Sequence, residues 1–263
     1  MNGKILAIAG SDPSGGAGIQ ADIKTISAHG GYGMAAITAL TVQDTNRVYE
    51  VHPVAPDVVA AQVKTVIEDI MPDAIKLGMM GSAETLRLLS SIFADYNHIP
   101  LIVDPVILSS SGHQLLEKTA VEILISDILP LTDLLTPNLA EAALLAGMDN
   151  IHTVPHMIRA AENLLTMGAK AVVVKGGHLP GDIVTDVLVT GGDIYQFSSP
   201  LIATGNTHGT GCAFSSAIAT GIGQGMNLRE AVDRAHKYVH KAILQAPGFG
   251  HGKGPLKHFV ALD

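Results

Sequence analysis

The single cysteine of this 263-residue chain, Cys212, closes the stretch NTHGTGC, Asn206 to Cys212. Gly209 and Gly211, flanking Thr210, permit backbone conformations that aim successive N–H groups at one point. A helix starting near Cys212 would add its positive end, so the turn reads as an anion site. A thiol at a helix N-terminus is expected to have a lowered pKa, which makes Cys212 a candidate proton acceptor beside the anion. The plainer reading is a small residue chosen for packing.

A carboxylate and an ammonium end two apolar runs: Asp104 closes LIVD and Lys175 closes AVVVK, followed by Gly176 and Gly177. Together they suit a metal–phosphate group, the acid binding magnesium and the lysine neutralising phosphate oxygens. In TPNLAEA, Pro137 stops a strand, Asn138 can cap the next helix, and Glu141 lies one turn along. That spacing is close to a capping box. It also places two oxygen-bearing side chains where magnesium could be held through its water shell near a phosphate.

The opening AGSDPSGGAGIQAD leads a strand through a glycine-rich turn into a helix and offers backbone amides to a ligand. Neither G-x-G-x-x-G nor Gly-Lys-Ser/Thr is present, and Gln43, not an acid, ends the next strand. A dinucleotide fingerprint and a P-loop are thereby excluded. Among twelve histidines, His152/His156 and His236/His240 have i, i+4 spacing, but neither pair has the intervening Glu of a zinc protease or a nearby cysteine. No G-x-S-x-G elbow exists, and SSSG at Ser109–Gly112 has no strand leading into it, so a serine hydrolase is disfavoured.

These groups need a frame that brings them to one edge. Short β-branched runs alternate with amphipathic segments, the order of a βαβ sheet. Strands are expected near Ile5–Ala9, Ala36–Val42, Ala74–Leu77, Leu101–Asp104, Asp133–Leu135, Ala171–Lys175, Val184–Val189 and Ile194–Ser198. Helices are expected near Ile19–His29, Pro56–Asp69, Ala83–Tyr96, Lys118–Ile128, Leu139–Ala146, His156–Met167, Ala213–Gly223 and Leu228–Ala246, with a hairpin at TGGD. Runs such as LIVD and AVVVK are apolar on both faces, as strands covered by helices on both sides should be. A central, mostly parallel sheet follows. Its ligands should bind beyond the carboxyl ends of the strands.

An apolar content of 47% and the absence of any linker or repeat favour one domain over residues 1–263. The net charge of −8 is spread without an acidic tail and gives no footprint for nucleic acid or an anionic membrane. The first residues are too short for a signal h-region, no stretch reaches spanning length, and one cysteine cannot form an internal disulfide. The expected setting is the reducing cytoplasm.

The motifs AGSDPSGGAGIQAD, ALTVQDT, VDPV, TPNLAEA, VVVKGGH and NTHGTGC, in this order over nearly the whole chain, resemble bacterial hydroxymethylpyrimidine/phosphomethylpyrimidine kinases of the ribokinase superfamily. The resemblance implies a ribokinase-like three-layer α/β/α sandwich. It also implies two phosphoryl transfers from ATP, with Mg2+, to 4-amino-5-hydroxymethyl-2-methylpyrimidine and then to its monophosphate in thiamine biosynthesis. By the same resemblance Gln43 binds the pyrimidine, and Gly10, Asp12, Ala17, Met79 and Val106 line its pocket. An amide can donate to and accept from an aminopyrimidine edge. Asp104, Asn138 and Glu141 match the magnesium and phosphate side, and Lys175, Gly176 and Gly177 a nucleotide-phosphate contact. Gly209, Thr210 and Gly211 match the superfamily anion hole, and a homodimer is usual in the family.

Pro13 and Leu77 depart from residues frequent at those positions, without touching a chemical group. Cys212 stands where sugar and nucleoside kinases mostly carry an aspartate base. A neutral thiol would not repel a phosphate monoester as a carboxylate would. Two other readings compete: a pyridoxine/pyridoxal kinase, whose substrate is also a flat heterocycle with a hydroxymethyl arm, and a pyrimidine- or nucleotide-sensing binding protein. The combination of Asp104, Glu141, Lys175 and the anion turn argues against a sensor.

Overall fold

The computed structural model describes residues 3–107 and 115–260. Their nine strands form one sheet in the order β3-β2-β1-β4-β5-β6-β7-β8-β9. The strands are β1 (Lys4–Ser11), β2 (Tyr32–Gln43), β3 (Val48–Pro53), β4 (Ala74–Leu77), β5 (Leu101–Val103), β6 (Leu134–Leu135), β7 (Ala171–Val174), β8 (Ile183–Thr190) and β9 (Ile194–Pro200). From β2 through β1 and β4 to β7 all pairings are parallel; β3, β8 and β9 add antiparallel edges.

Side chains alternate across the sheet with the strand period of two. In β1, Leu6 and Ile8 enter the core shared with helices α2 (Pro56–Ile70), α3 (Ala83–Asp95), α4 (Lys118–Ile123), α5 (Leu139–Leu145) and α6 (Val154–Thr166). Ile5 and Ala7 enter the opposite core, with α1 (Gly18–Ala28), α7 (Thr210–Gly223) and α8 (Leu228–Leu244). The result is the three-layer α/β/α sandwich with a mostly parallel centre. None of the described helices is long and apolar enough to cross a membrane.

β3 is absent from the sequence expectation. It is an edge strand with only Val48 buried, so no apolar face announces it. Asp44 makes its hairpin: the carboxylate accepts from the amides of Asn46 (2.7 Å) and Arg47 (3.0 Å) and from the Tyr49 hydroxyl (2.9 Å). The expected helix over Lys118–Ile128 is also different. After Ile123 it widens into a π turn, Leu124–Ile128, and then tightens into a 3-10 turn at Leu129–Leu131, where Pro130 removes a helix donor.

β1 lies between β2 on one side and β4 on the other, so the chain reverses its direction of sheet growth there. That is a topological switch point, and the crevice beyond it is where such sheets bind ligands. α7 runs away from this edge with its N-terminus at the crevice. Residues Ala213–Gly221 are all buried, and small side chains let the helix lie close to β1, β4, β5, α1 and α8.

Candidate active site at the carboxyl edge of the sheet

Asp104 and Lys175 stand one residue beyond β5 and β7. The Asp104 amide donates to the Leu77 carbonyl (2.8 Å) and the Lys175 amide to that of Pro137 (2.9 Å). The sheet ladder thus carries both residues past its last strand positions. Their side chains meet: Lys175 Nζ donates to Asp104 Oδ1 at 2.7 Å, in a pair that is nearly buried. Burial alone would push the lysine down, but Asp104 and Glu141 outweigh it and hold the ammonium above its ordinary value. The expectation of separate tasks, acid for metal and lysine for phosphate, starts here from one ion pair.

Asn138 and Glu141 form the capping box in full. Asn138 Oδ1 accepts from the Glu141 amide (3.0 Å), and Glu141 Oε2 accepts from the Asn138 amide (2.8 Å). Glu141 is buried, and its carboxyl is pushed up to about 7 by that burial, with Lys175 opposing and Asp104 adding to the rise. Two carboxylates therefore share one ammonium.

The anion turn faces this group. Gly209 caps α7 at φ +81°, in the left-handed region, and a β-carbon there would fall on the Gly16 carbonyl oxygen. Only glycine joins the two loops so closely. At Gly211 a β-carbon would lie 3.2 Å from Lys175 Nζ and 3.4 Å from Asp104 Oδ2. The first turn of α7 and the ion pair thus border one small space. Cys212 begins the next step of that turn, with the Gly18 amide directed at its sulfur.

The expected lowering of the Cys212 pKa is overturned. Burial pushes the thiol up to about 11, against the opposing influence of Lys76, because desolvation of a thiolate outweighs one helix start. The thiol is neutral at physiological pH.

On the other side of the turn, Asp12 is consumed in holding its own loop. Its carboxylate accepts from the Ser14 amide and hydroxyl (both 2.9 Å) and from the Gly16 (3.2 Å) and Ala17 (2.8 Å) amides, and it pairs with His208 Nε2 at 2.8 Å. Burial pushes this carboxyl up, but His208 and these donors prevail and hold it below its ordinary value. Asp12 shapes the pocket edge instead of presenting a free carboxylate to it. His208 lies inside the anion-turn motif, where the spacing of the glycines alone does not mark it as a functional residue. Gln43, at the end of β2, reaches the same histidine, Nε2 to Nε2 at 3.5 Å.

Gly10 lies against Met79, whose sulfur would stand 2.7 Å from a β-carbon there. Met79, Ala17, Gln43 and Val106 are all half-buried along this edge. Residues 108–114, which include the SSSG stretch, lie outside the described residues. Gly176 donates its amide to Asp186 Oδ1 (2.9 Å), and Asp186 Oδ2 pairs with His236 Nδ1 (2.7 Å). His236 is thus a buried support for the Lys175–Gly177 turn, and among the described residues no group of three metal-ligating side chains forms. A surface cavity of about 440 Å³ between β9 and α8 shares only His236 with this network and none of the anion turn, Asp104 or Lys175.

The phosphomethylpyrimidine kinase family matches residues 12–257. The chain is 44% identical over 261 residues to the hydroxymethylpyrimidine/phosphomethylpyrimidine kinase of Rhizobium meliloti, covering 98% of each chain. It is equally similar, at 44%, to the thiamine biosynthesis bifunctional protein ThiED of Geobacter sulfurreducens, of whose length it spans 53%. Among solved structures, the ADP complex of Bacillus subtilis pyridoxal kinase superposes with a TM-score of 0.91 at 35% identity, covering 98% of both chains. The sandwich is therefore ribokinase-like, as the resemblance implied. By sequence and by architecture, the chain belongs to the phosphomethylpyrimidine kinase family.

Proposed function

We propose that the chain transfers the γ-phosphoryl group of ATP to the hydroxymethyl arm of 4-amino-5-hydroxymethyl-2-methylpyrimidine, and then a second one to the resulting monophosphate, in thiamine biosynthesis. The observation that carries this reading is the convergence of the Lys175–Asp104 pair on the glycine turn, with Gly211 bordering Nζ. A transferring phosphoryl group needs positioned positive charge and donors more than covalent chemistry. The turn amides and Lys175 supply both.

Lys175, Gly176 and Gly177 hold the nucleotide phosphates in this reading, with Asn138 at the neighbouring helix start. The acceptor pyrimidine lies toward Gln43, Gly10, Ala17, Met79 and Val106. Cys212 contributes a neutral surface beside the acceptor oxygen. A loose transfer makes small demands on proton removal, so a thiol that stays protonated is no obstacle. It also leaves the dianionic monophosphate unrepelled, which suits a site with two acceptors.

Asp104 and Glu141 fit magnesium. Two buried carboxylates face one ammonium, leaving a negative charge that a cation would offset. Asp104 Oδ1 and Glu141 Oε2 already have protein donors, which favours contact through the metal's water shell. When bound, magnesium neutralises charge on the phosphate oxygens. In this reading the protein works in the cytoplasm as a homodimer.

A pyridoxal kinase is the second reading, favoured by the close superposition on the Bacillus subtilis enzyme. ADP release with Mg-ATP and hydroxymethylpyrimidine, its monophosphate or pyridoxal separates them. Turnover of the monophosphate supports the thiamine reading; turnover of pyridoxal alone supports the other. Release with none of the three refutes both.

A further inference from the structure

Lys76 stands in β4 between Ile75 and Leu77, on the sheet face that meets α1 and α7, and neither it nor its partner has any exposed surface. Its ammonium donates to both oxygens of Asp22, on α1, at 2.9 Å each. Ser216, on α7, donates to Asp22 Oδ1 at 2.8 Å. This pair lies outside the roles described above. A buried ion pair is a poor means of gaining stability, since apolar replacements are often as good. Its location points to another use.

Ser216 is four residues after Cys212, one turn down the same helix face. Lys76 Nζ lies directly beneath Gly78, where a β-carbon would come within 2.6 Å of it. Gly78 leads into Met79 and the pocket edge. The ammonium thus underlies both the anion turn and the loop against Gly10. The charged groups that act on Cys212 are Lys76 from β4, Asp22 from α1, Asp104 beyond β5 and Lys175 beyond β7. With Glu141, which shares the Lys175 ammonium with Asp104, these are two cations against three anions, so without Lys76 the acceptor end is more negative still.

We propose that the Asp22–Lys76 pair is a positioning element for the acceptor end of the cleft, fixing the first turn of α7 through Ser216. Its lysine supplies the charge that lets the site take a phosphate monoester as well as an alcohol. The inference rests on the two-acceptor function proposed above. Burial pushes the Lys76 ammonium down, but the carboxylates around it, Asp22 first and Asp104 after it, oppose this, and the lysine stays charged.

The test compares the full-length protein with Lys76→Met and with the charge-free pair Asp22→Asn/Lys76→Met, which guards against misfolding from an orphaned buried carboxylate. kcat/KM is measured with hydroxymethylpyrimidine and with its monophosphate. Alkylation of Cys212, the sole thiol, by iodoacetamide is timed without substrate at fixed mildly alkaline pH. Lys76→Met should lose at least about tenfold more on the monophosphate than on the alcohol, with alkylation slowed by roughly threefold or more, and the charge-free pair, which removes a carboxylate as well, should shift both in the same direction to a smaller extent. Parallel loss on both acceptors, or faster or unchanged alkylation, would show that the pair only supports packing. Failure of the charge-free variant to fold would do the same. Inactivity of the unaltered protein on both acceptors would instead refute the functional reading, and the alkylation rates would still report whether the charge acts on the thiol.

Discussion

Replacing Gly211 by alanine separates function from folding more sharply than any other change in the cleft. Gly211 is the second residue of α7, and its backbone is outside the left-handed region, so alanine introduces no conformational strain. The new methyl would stand 3.2 Å from Lys175 Nζ and 3.4 Å from Asp104 Oδ2. The lysine end is flexible and can yield by a few tenths of an ångström. Alanine is favoured over glycine in helices by up to about 1 kcal/mol, so stability should stay level or rise within that amount. The same methyl occupies the space between the turn amides and the ammonium. Loss of one preorganised donor to a developing oxyanion costs about 10²–10³ in kcat, and Gly211→Ala should fall in that range. Thermal melting and steady-state ADP release on the same preparation give both quantities. Retention of more than a tenth of the original kcat with an unchanged melt would refute the placement of the phosphoryl group at this turn.

Three further outcomes are expected. Cys212→Asp should slow the second phosphorylation by at least about tenfold more than the first when each is timed separately, because a carboxylate repels the dianion; equal effects would remove the reason given for cysteine. Glu141→Gln keeps the capping-box geometry but not the charge. A carboxyl raised from 4.5 to about 7 on folding contributes stability fully present below 4.5 and lost as pH rises through 7. The variant should therefore melt higher than the original at mildly alkaline pH, gain nothing in acid, and need more magnesium for half-maximal rate. Asp12→Asn should show the opposite limb: a carboxyl held below its ordinary value stabilises above that value and loses its contribution as pH falls through the lowered one. Denaturant melts should then show a deficit near neutrality that narrows below about pH 4.

Much of this architecture is legible in the sequence because two-faced apolar runs such as AVVV can only be central strands, and residues just after them can only emerge at the ligand edge. Asp104 and Lys175 follow from that rule, Glu141 from its spacing to the helix-capping Asn138, and the glycine turn from its two glycines before a helix start. What escaped it depends on distant partners. The bonding of Asp12 is one case: its carboxylate accepts from Ser14, Gly16 and Ala17 and pairs with a histidine 196 positions away. A helix start by itself predicts an acidic Cys212, whereas burial of the thiol among groups from α1 and β4 depends on distant parts of the chain and wins. Asp22 and Lys76 belong to the same class: a lysine in the four-residue strand AIKL is a local contradiction, resolvable only by a partner from another element. β3 lacked an apolar face and so lacked a signal.

The central claim is that one cleft phosphorylates an alcohol and then its phosphate ester. Phosphorus NMR of the purified protein with Mg-ATP and 4-amino-5-hydroxymethyl-2-methylpyrimidine tests it most directly. The account predicts a monophosphate resonance that rises and then gives way to the paired signals of a diphosphate, with both steps lost in Lys175→Ala. A spectrum in which ATP is unchanged, or in which Lys175→Ala forms both products at the original rates, would contradict it.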